Sequence, residues 1–319
     1  MCADTSQPLL CANAVSMRYG DKQALHNLDL QIDAGESVGL LGLNGAGKST
    51  LLRILAGAMP AQRGTVAVAG IDLQQHPLSA RRQLGYAPDK PPVYAQFTVS
   101  EYLTFAAKLR GLQGKSVTTG ISRAIELCHL GEVQKRIIGN LSHGYQQRIN
   151  LAQAMVHQPR LLILDEPTNG LDPAQLLEIR GVISNLESHQ ATVFSSHQLA
   201  EVQANCQRVV LIDDGRKVID LPIEQLTDES HTTFEVRLKT PASSQDFQNM
   251  PGILTACSVD PKHWLLTTLN RDSNKKRFGE LMLGRGMQLL KVTPVRNHLE
   301  TLFSLLKLKT DQSTASEAT

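Results

Sequence analysis

Cysteine is scarce: five in 319 residues, at Cys2, Cys11, Cys128, Cys206 and Cys257, with no CxxC spacing. An odd, scattered set argues against a disulfide framework and against a cysteine zinc site. The five read as small thiols in a reducing compartment. The ten histidines include no HExxH pair, so a zincin-type site is absent as well. Aromatic residues make up only 4% of the chain, and the single tryptophan, Trp264, has no neighbours in sequence that would build a stacking platform for single-stranded nucleic acid. No apolar run approaches the roughly 18 residues that a membrane-spanning helix needs. The N-terminal stretch MCADTSQPLLCANAV lacks the basic-then-apolar order of a secretory leader, so a cytoplasmic location is expected. Charge of neither sign dominates: the net value is +2, which gives no global reason to expect a nucleic-acid partner.

What is present points to a folded chain. The hydrophobic share of 41% is too high for a disordered protein, and the length suits one large domain or two ordinary ones. From Pro8 to about Leu221, strand-like and helix-like runs alternate, the pattern of an α/β core with a parallel sheet. PLLCANAVSMRYG and KQALHNLDLQI read as early strands. ESVGLLG, RLLILDE and ATVFSSH read as short strands buried on both faces. STLLRILAG reads as a helix that stops near Gly57, and the segment from about Thr98 to Met155 as mostly helical. Asp172-Pro173 has the N-cap and N1 chemistry of a helix start, and Asp214-Gly215 marks a hairpin turn in RVVLIDDGRKVIDL.

Around Thr227–Ser230 the pattern changes. Beyond it come TTFEVRLK as a strand, a short helix, ILTACSVD and HWLLTTLN as strands, a helix around Lys275–Leu283, MQLLKVTPV as a strand and HLETLFSLLKL as a helix. That order suits a small α+β domain, the ferredoxin-like fold being one arrangement. From His231 to Thr310 there are 12 Lys+Arg against 6 Asp+Glu, a local +6. A solvated surface explains this excess; contact with anionic lipid headgroups or with an acidic partner loop is the sharper alternative. Residues 310–319 are expected to form a disordered tail.

The most informative segment is Gly42-Leu43-Asn44-Gly45-Ala46-Gly47-Lys48-Ser49-Thr50, which matches G-x-x-x-x-G-K-S/T from Gly42 to Ser49. A triphosphate needs several donors at once, and consecutive backbone N–H groups supply them where glycine lets the loop wrap closely. Lys48 adds a charge for the β- and γ-phosphates, the Ser49 hydroxyl suits Mg²⁺, and a helix starting near Lys48 aims its positive end at the phosphates. Asp165, closing a buried strand, is placed to hold Mg²⁺, and Glu166 beside it to polarise an attacking water.

Between and after these motifs lie Leu141-Ser142-His143-Gly144-Tyr145-Gln146-Gln147-Arg148, then Asn169-Gly170-Leu171-Asp172, then Ser196-His197. In this order they resemble the signature, D-loop and switch histidine of ABC ATPases, and Tyr19 in Arg18-Tyr19-Gly20 resembles the aromatic residue that stacks on adenine. The resemblance covers about residues 11–226 and implies an ABC cassette: a P-loop NTPase with a RecA-like parallel-sheet core, an antiparallel β subdomain and a helical subdomain at about 96–158. The expected bounds are 8–226 for the cassette and 232–309 for the accessory α+β domain.

The family mechanism implies that ATP and Mg²⁺ are bound by the loop residues Asn44 to Thr50 with Tyr19, and that Ser49, Asp165 and Asp89 serve the metal. Lys48, Glu166 and His197 are the implied catalytic groups. Ser142, Gly144 and Asp172 act across a head-to-tail dimer of two copies, or of this chain with a paired cassette. A separate integral-membrane permease is the implied partner, with Leu103 and Phe105 in its docking groove, on the cytoplasmic face of the membrane.

Two motifs depart from the common pattern. Asp89 follows Gly85-Tyr86-Ala87-Pro88 where Gln is usual, and His143 and Tyr145 alter the signature. Similar departures occur in a branch that serves ABC-2-type exporters, including gliding-motility, multidrug and antibiotic-resistance ATPases. The C-terminal Asn297-His298-Leu299-Glu300-Thr301-Leu302-Phe303 also resembles their closing helix. The other readings are a soluble ABC protein, which usually carries two cassettes where this chain carries one, and a module that binds ATP without turnover. The set Lys48, Asp165, Glu166 and His197 argues against the second, while Asp89 and His143 keep it open.

Overall fold

The computed structural model describes residues 7–91, 94–184, 190–227, 231–243, 246–247, 250, 253–269, 275–284 and 286–295. Two sheets organise the first part of the chain. The strands β1 (Leu10–Tyr19), β2 (Lys22–Ile32), β4 (Arg63–Val68) and β5 (Ile71–Asp72) form an antiparallel sheet in the order β2-β1-β4-β5. The six strands β3 (Ser37–Leu41), β6 (Leu84–Ala87), β7 (Leu161–Asp165), β8 (Ala191–Ser196), β9 (Arg208–Asp213) and β10 (Arg216–Pro222) form the second, in the order β10-β9-β3-β8-β7-β6. Here β3 lies parallel between β8 and β9, and β7 parallel between β6 and β8. All residues of β7 and β8 are buried, which is why these strands read as unbroken apolar runs rather than alternating ones. The β9–β10 connection has φ of +43° at Asp214 and +68° at Gly215, the pair of positive angles that a two-residue type I′ turn requires.

Helix α1 (Lys48–Leu55) follows β3 and buries Leu51, Leu52, Ile54 and Leu55 in the core shared by the two sheets. Gly57, at φ +66°, ends it. The short α2 (Pro77–Arg82) precedes β6. The helical region consists of α3 (Val99–Leu109), α4 (Lys115–Leu127) and α5 (His143–Met155), with α3 packed on both of the others. Thr98 and Glu101 form a reciprocal capping box that fixes the start of α3. Leu103 is fully buried in this bundle, so it does not face a groove as expected, whereas Phe105 is exposed. The cause is helical period: Val99, Tyr102, Leu103 and Ala106 share the inward stripe of α3, and Phe105 lies off it. After β7 come α6 (Pro173–Ser184) and, after β8, α7 (Leu199–Asn205). Asp172 caps α6 through Gln175 N–H, at 2.9 Å.

The chain divides into two compact units, Met1–Lys217 and Val218–Thr319, with the division falling inside β10. In the second unit a short α8 (Glu224–Thr227) precedes β11 (His231–Leu238), β12 (Ile253–Asp260), β13 (His263–Leu269), α9 (Lys275–Gly284) and β14 (Leu289–Val295). The four strands pair antiparallel in the order β12-β13-β11-β14. Numbered within the unit this is 2-3-1-4, the strand order of a ferredoxin-like sheet. Its core stacks Phe234 on Phe278, with ring centroids 4.4 Å apart, and sets Phe247 against Trp264 at 4.6 Å. Trp264 therefore does have an aromatic companion, but inside the core. The expected closing helix around residues 297–307 and the expected tail at 310–319 lie outside the described residues. The described cysteines Cys11, Cys128 and Cys206 are free. Among the described residues no helix is long and apolar enough to cross a membrane.

Candidate active site

The loop between β3 and α1 is shaped by what surrounds it. A Cβ on Gly42 would meet the Ile212 carbonyl oxygen at 2.4 Å, and one on Gly47 would meet that of Ala24 at 2.6 Å. The loop thus runs against the backbone of β2 and β9, where only glycine fits. Gly45 and Gly47 have φ of +83° and +107°. Gly215, in the β9–β10 turn, donates its N–H to the Ala46 carbonyl at 2.9 Å and clasps the loop from behind. Lys48 is 4% exposed and donates from Nζ to the carbonyls of Gly42 and Leu43, at 2.9 and 3.2 Å, holding the loop closed around its own ammonium.

The acids at the end of β7 are wired to this loop. Ser49 Oγ and Ser195 Oγ both donate to Asp165 Oδ1, at 3.0 and 2.9 Å, and Ser195 Oγ accepts from Glu166 N–H at 2.9 Å. Burial pushes the Asp165 carboxyl above the usual carboxylate range. The two serine bonds oppose this, and the negative charges of Asp89 and Glu166 add to it. Glu166 sits at φ +45°, a left-handed conformation that a side chain this long rarely adopts and that costs of order 1 kcal/mol or more. Its two oxygens face different partners: Oε1 lies 3.4 Å from Lys48 Nζ, and Oε2 lies 3.1 Å from His197 Nδ1. A carboxylate oxygen there assigns the hydrogen to Nδ1, which leaves Nε2 for a ligand.

Tyr19, Asn44, Gly45, Gly47, Lys48, Ser49, Thr50 and Glu166 line one cleft of about 290 Å³, together with Lys22 and Ala24. Tyr19 is 45% exposed, and its hydroxyl donates to Met59 Sδ at 3.1 Å. Ala46 is set back: it is buried and serves through its carbonyl.

The sequence analysis singles out none of three residues: Lys22, the first residue of the strand KQALHNLDLQI, Ser195, inside the buried strand ATVFSSH, and Glu201. In fact Glu201 is 1% exposed, and its Oε2 accepts from Thr168 Oγ1 at 2.9 Å and from Ser196 Oγ at 2.6 Å. Its position four residues after His197 was the available signal, because it places the acid on the first turns of the helix behind the histidine.

Asp89, His143 and Asn169 form a second cluster. Asn169 Nδ2 donates to Asp89 Oδ1 at 3.3 Å, and His143 Nε2 donates to the Asn169 carbonyl at 3.3 Å. Two of the three unusual positions of the sequence, Asp89 and His143, therefore meet at one residue. Gln147 Nε2 adds a bond to the Asp89 carbonyl at 3.2 Å. Ser142 occupies the N-cap position of α5, but its hydroxyl makes no cap bond to the helix. Gly144 is buried against the Gln175 side chain. The Tyr145 ring stacks on Arg148, whose guanidinium carbon is 4.9 Å from its centroid and which also pairs with Glu178. Ser142, Gly144 and Asp172 are not among the described residues that line the cleft.

The donor set fits a small, hard cation only in company. Among the described residues no three of His, Cys, Asp and Glu converge as a metal cage. A hydroxyl and a carboxylate, Ser49 and Asp165, do stand together at the mouth of the phosphate loop. That is the donor set expected for Mg²⁺, which keeps its waters and takes phosphate oxygens as further ligands.

Comparison with known proteins agrees with this geometry. The family model for ABC transporters matches residues 25–169. The ABC transporter ATP-binding protein YxlF of Bacillus subtilis is 35% identical over 224 residues, 70% of this chain and 74% of the relative. The bacitracin transport ATP-binding protein BcrA of Bacillus licheniformis is 29% identical over 293 residues, 89% and 92% of the two chains. The linearmycin resistance ATP-binding protein LnrL of Bacillus subtilis is 33% identical over 211 residues, 66% and 68% of the two. Among solved structures, an ATP-binding subunit of an ABC transporter superposes with a TM-score of 0.62 at 30% identity, over 68% of this chain and 91% of that one. The dimeric bacterial cassette MJ0796 gives 0.62 at 22% identity, over 67% and 98%, a likeness of fold. The chain belongs to the ABC transporter ATP-binding proteins, the ATPase subunits of those transporters.

Proposed function

We propose that this ATPase powers a separate permease of the ABC-2 exporter type from the cytoplasmic face of a membrane, and that two copies close head to tail around two ATP molecules. Tyr19 stacks on the adenine, and the backbone N–H groups of residues 44–50 bind the phosphates. Lys48 exchanges its carbonyl contacts for the β- and γ-phosphates. Mg²⁺, held by Ser49 and by Asp165 directly or through water, draws charge from the phosphates when bound. Glu166 accepts the proton of the water that attacks the γ-phosphorus, and ADP leaves from the opposite side. His197, oriented by its Nδ1 bond to Glu166, presents Nε2 to the attacking water beside the γ-phosphate, from which it accepts a hydrogen bond. Ser142 and Gly144 of one copy close over the nucleotide of the other, for which the uncapped Ser142 hydroxyl leaves a donor to spare. Asp89, whose Oδ1 accepts from Asn169, is the further oxygen donor that would serve the metal. Residues 232–309 form an accessory domain that the cassette, 8–226, does not need in order to bind ATP.

The observation that carries this reading is the continuous path Lys48–Glu166–His197 beside Ser49–Asp165, of which Lys48, Ser49 and Glu166 line the cleft together with Tyr19. Similarity to the bacitracin transport and linearmycin resistance proteins supports export as the direction. The test is Glu166→Gln. Steady-state hydrolysis should fall by about a hundredfold or more, with ATP binding retained and dimers accumulating in ATP on size exclusion. Turnover at the unsubstituted rate would remove Glu166 as the base.

A further inference from the structure

Helix α6 follows the loop that carries Glu166 and Asn169, and its buried residues Ile179, Val182 and Ile183 anchor it in the core. At about 100° of turn per residue, Glu178 and Arg180 project to opposite flanks of that anchored stripe. On one flank Glu178 pairs with Arg148 of α5, and Gln175, one turn earlier, packs on Gly144 of the same helix. Arg148 is itself buried and lies over the Tyr145 ring. On the other flank Arg180 Nη2 stands 3.9 Å from Glu201 Oε1 in α7, the helix against which α6 packs. The two oxygens of Glu201 therefore have separate partners: Oε2 takes the hydroxyls of Thr168 and Ser196, and Oε1 faces the guanidinium. Glu201 Oε1 and Arg180 Nε are both buried and have no hydrogen-bond partner among the described residues. Charge attraction across a site closed to water is what joins them.

We propose that α6 is a strut for hydrolysis: Glu178 fixes it to α5, and Arg180 is a positioning residue that sets the plane of the Glu201 carboxylate. The inference rests on the proposed roles of Glu166 and His197. A glutamate's own torsion fixes its carboxylate plane only weakly, because that terminal torsion is broad. Two hydroxyls can share Oε2 only at a set plane, and a cation held on Oε1 sets it. The guanidinium also offsets the negative charge that Glu201 carries into the interior. Thr168 lies two residues beyond Glu166, and Ser196 immediately precedes His197. A tilt of the Glu201 plane therefore moves the attacking-water side of the site and leaves the phosphate loop alone. Tyr145, one of the departures from the common signature, gains a purpose here: its ring steadies the Arg148 end of the strut.

The test measures kcat and KM for ATP on the full chain in solution, with a urea-unfolding midpoint for each variant so that activity is read where the chain is folded. Arg180→Met keeps the side-chain length and removes the charge; kcat should fall about fivefold while KM stays within about twofold. Arg180→Lys returns a charge at similar reach and should keep kcat within about twofold of the unsubstituted chain. Added to Glu201→Gln, Arg180→Met should lower kcat by less than about a further twofold, because the arginine acts through that carboxylate. Glu178→Gln loosens the pair with Arg148 and should lower kcat about threefold at constant KM. Unchanged kcat in Arg180→Met, or losses that multiply in the double variant, overturns the proposal. So does a loss in Arg180→Lys as large as in Arg180→Met, or a KM that rises as far as kcat falls. Unchanged kcat in Glu178→Gln overturns the strut at its α5 end. Glu166→Gln turning over at the unsubstituted rate would refute the underlying reading by itself; with Glu166→Gln inactive, the outcomes above judge the strut alone. If Arg180→Met does not fold, Arg180→Gln takes its place with the same expectations.

Discussion

Glu201 is predicted to hold Glu166 and His197, the side chains proposed for catalysis, in register without touching the nucleotide. Its carboxylate joins Thr168, two residues beyond Glu166, to Ser196, the residue before His197. Both hydroxyl-bearing residues are buried, at 9% and 2% exposure. A charge-assisted bond of this kind contributes about 1.5–3 kcal/mol, and a buried hydroxyl left without its partner costs about 1–3 kcal/mol. Glu201→Ala should therefore lower the unfolding free energy by roughly 3–5 kcal/mol. Glu201→Gln keeps the volume and one carbonyl oxygen able to accept from both hydroxyls, so its loss should be only about 1–2 kcal/mol. The two substitutions separate stability from positioning. In Glu201→Gln the phosphate loop and Tyr19 are unaltered, so KM for ATP should stay within about twofold while kcat falls about tenfold. Urea unfolding and steady-state kinetics measure both effects, and a double-mutant cycle with Ser196→Ala should give a coupling of about 1–2 kcal/mol. Unchanged kcat in Glu201→Gln, together with additive effects in the cycle, would refute a positioning role.

Other outcomes follow from the same coordinates. Asp165→Asn should stabilise the nucleotide-free protein while abolishing Mg²⁺-dependent turnover: its carboxyl is held above the normal range, so the ionised form costs folding energy at neutral pH that a neutral amide does not; a lower thermal midpoint would contradict this. The His157 imidazole is pushed down to about 4 by burial and by Arg110, against the bond to the Leu84 carbonyl, and stays neutral in the fold. The unfolded chain binds that proton below about pH 6.5, so up to about 3 kcal/mol of stability should drain away as pH falls from 6.5 toward 4. His157→Gln should flatten that part of a urea-midpoint series against pH, and a slope equal to that of the unsubstituted chain would count against the assignment. Asp89→Gln retains an acceptor for Asn169 Nδ2 and removes one negative charge near Asp165, so turnover should remain within about threefold; total loss would show a specific need for the acid.

Much of the cassette is legible in the sequence because its chemistry dictates residue types at fixed spacing. Gly42, Gly45 and Gly47 are demanded by backbone that approaches too closely for a Cβ or by positive φ, and the strand ends that carry Asp165 and His197 show as apolar runs closing on a polar residue. The Asp214-Gly215 turn and the ferredoxin-like strand order likewise follow from local turn chemistry and strand spacing. The side of α3 was harder to read. Leu103 and Phe105 are equally apolar in sequence, and only the helical phase set by Val99, Tyr102 and Ala106 turns the first inward and the second out. Short elements such as β5 and α2 hold too few residues to show a period. The polar wiring was the least visible: a buried glutamate meets two hydroxyls only because β7, β8 and α7 pack together, and nothing in the linear order of Asp89, His143 and Asn169 says that they converge.

The parallel pairing around β3 has a consequence for how the protein is made. Leu40 sits between Ser195 on one edge and Val210 on the other, and the phosphate loop that follows is clasped by Gly215. On the ribosome, the strand and its loop emerge long before any of those partners. The nascent chain must therefore carry an apolar strand with both hydrogen-bonding edges open, and a glycine loop with no wall behind it, through most of the synthesis of this unit. The wall that Gly215 gives the phosphate loop therefore comes only after β8 and β9 have been made.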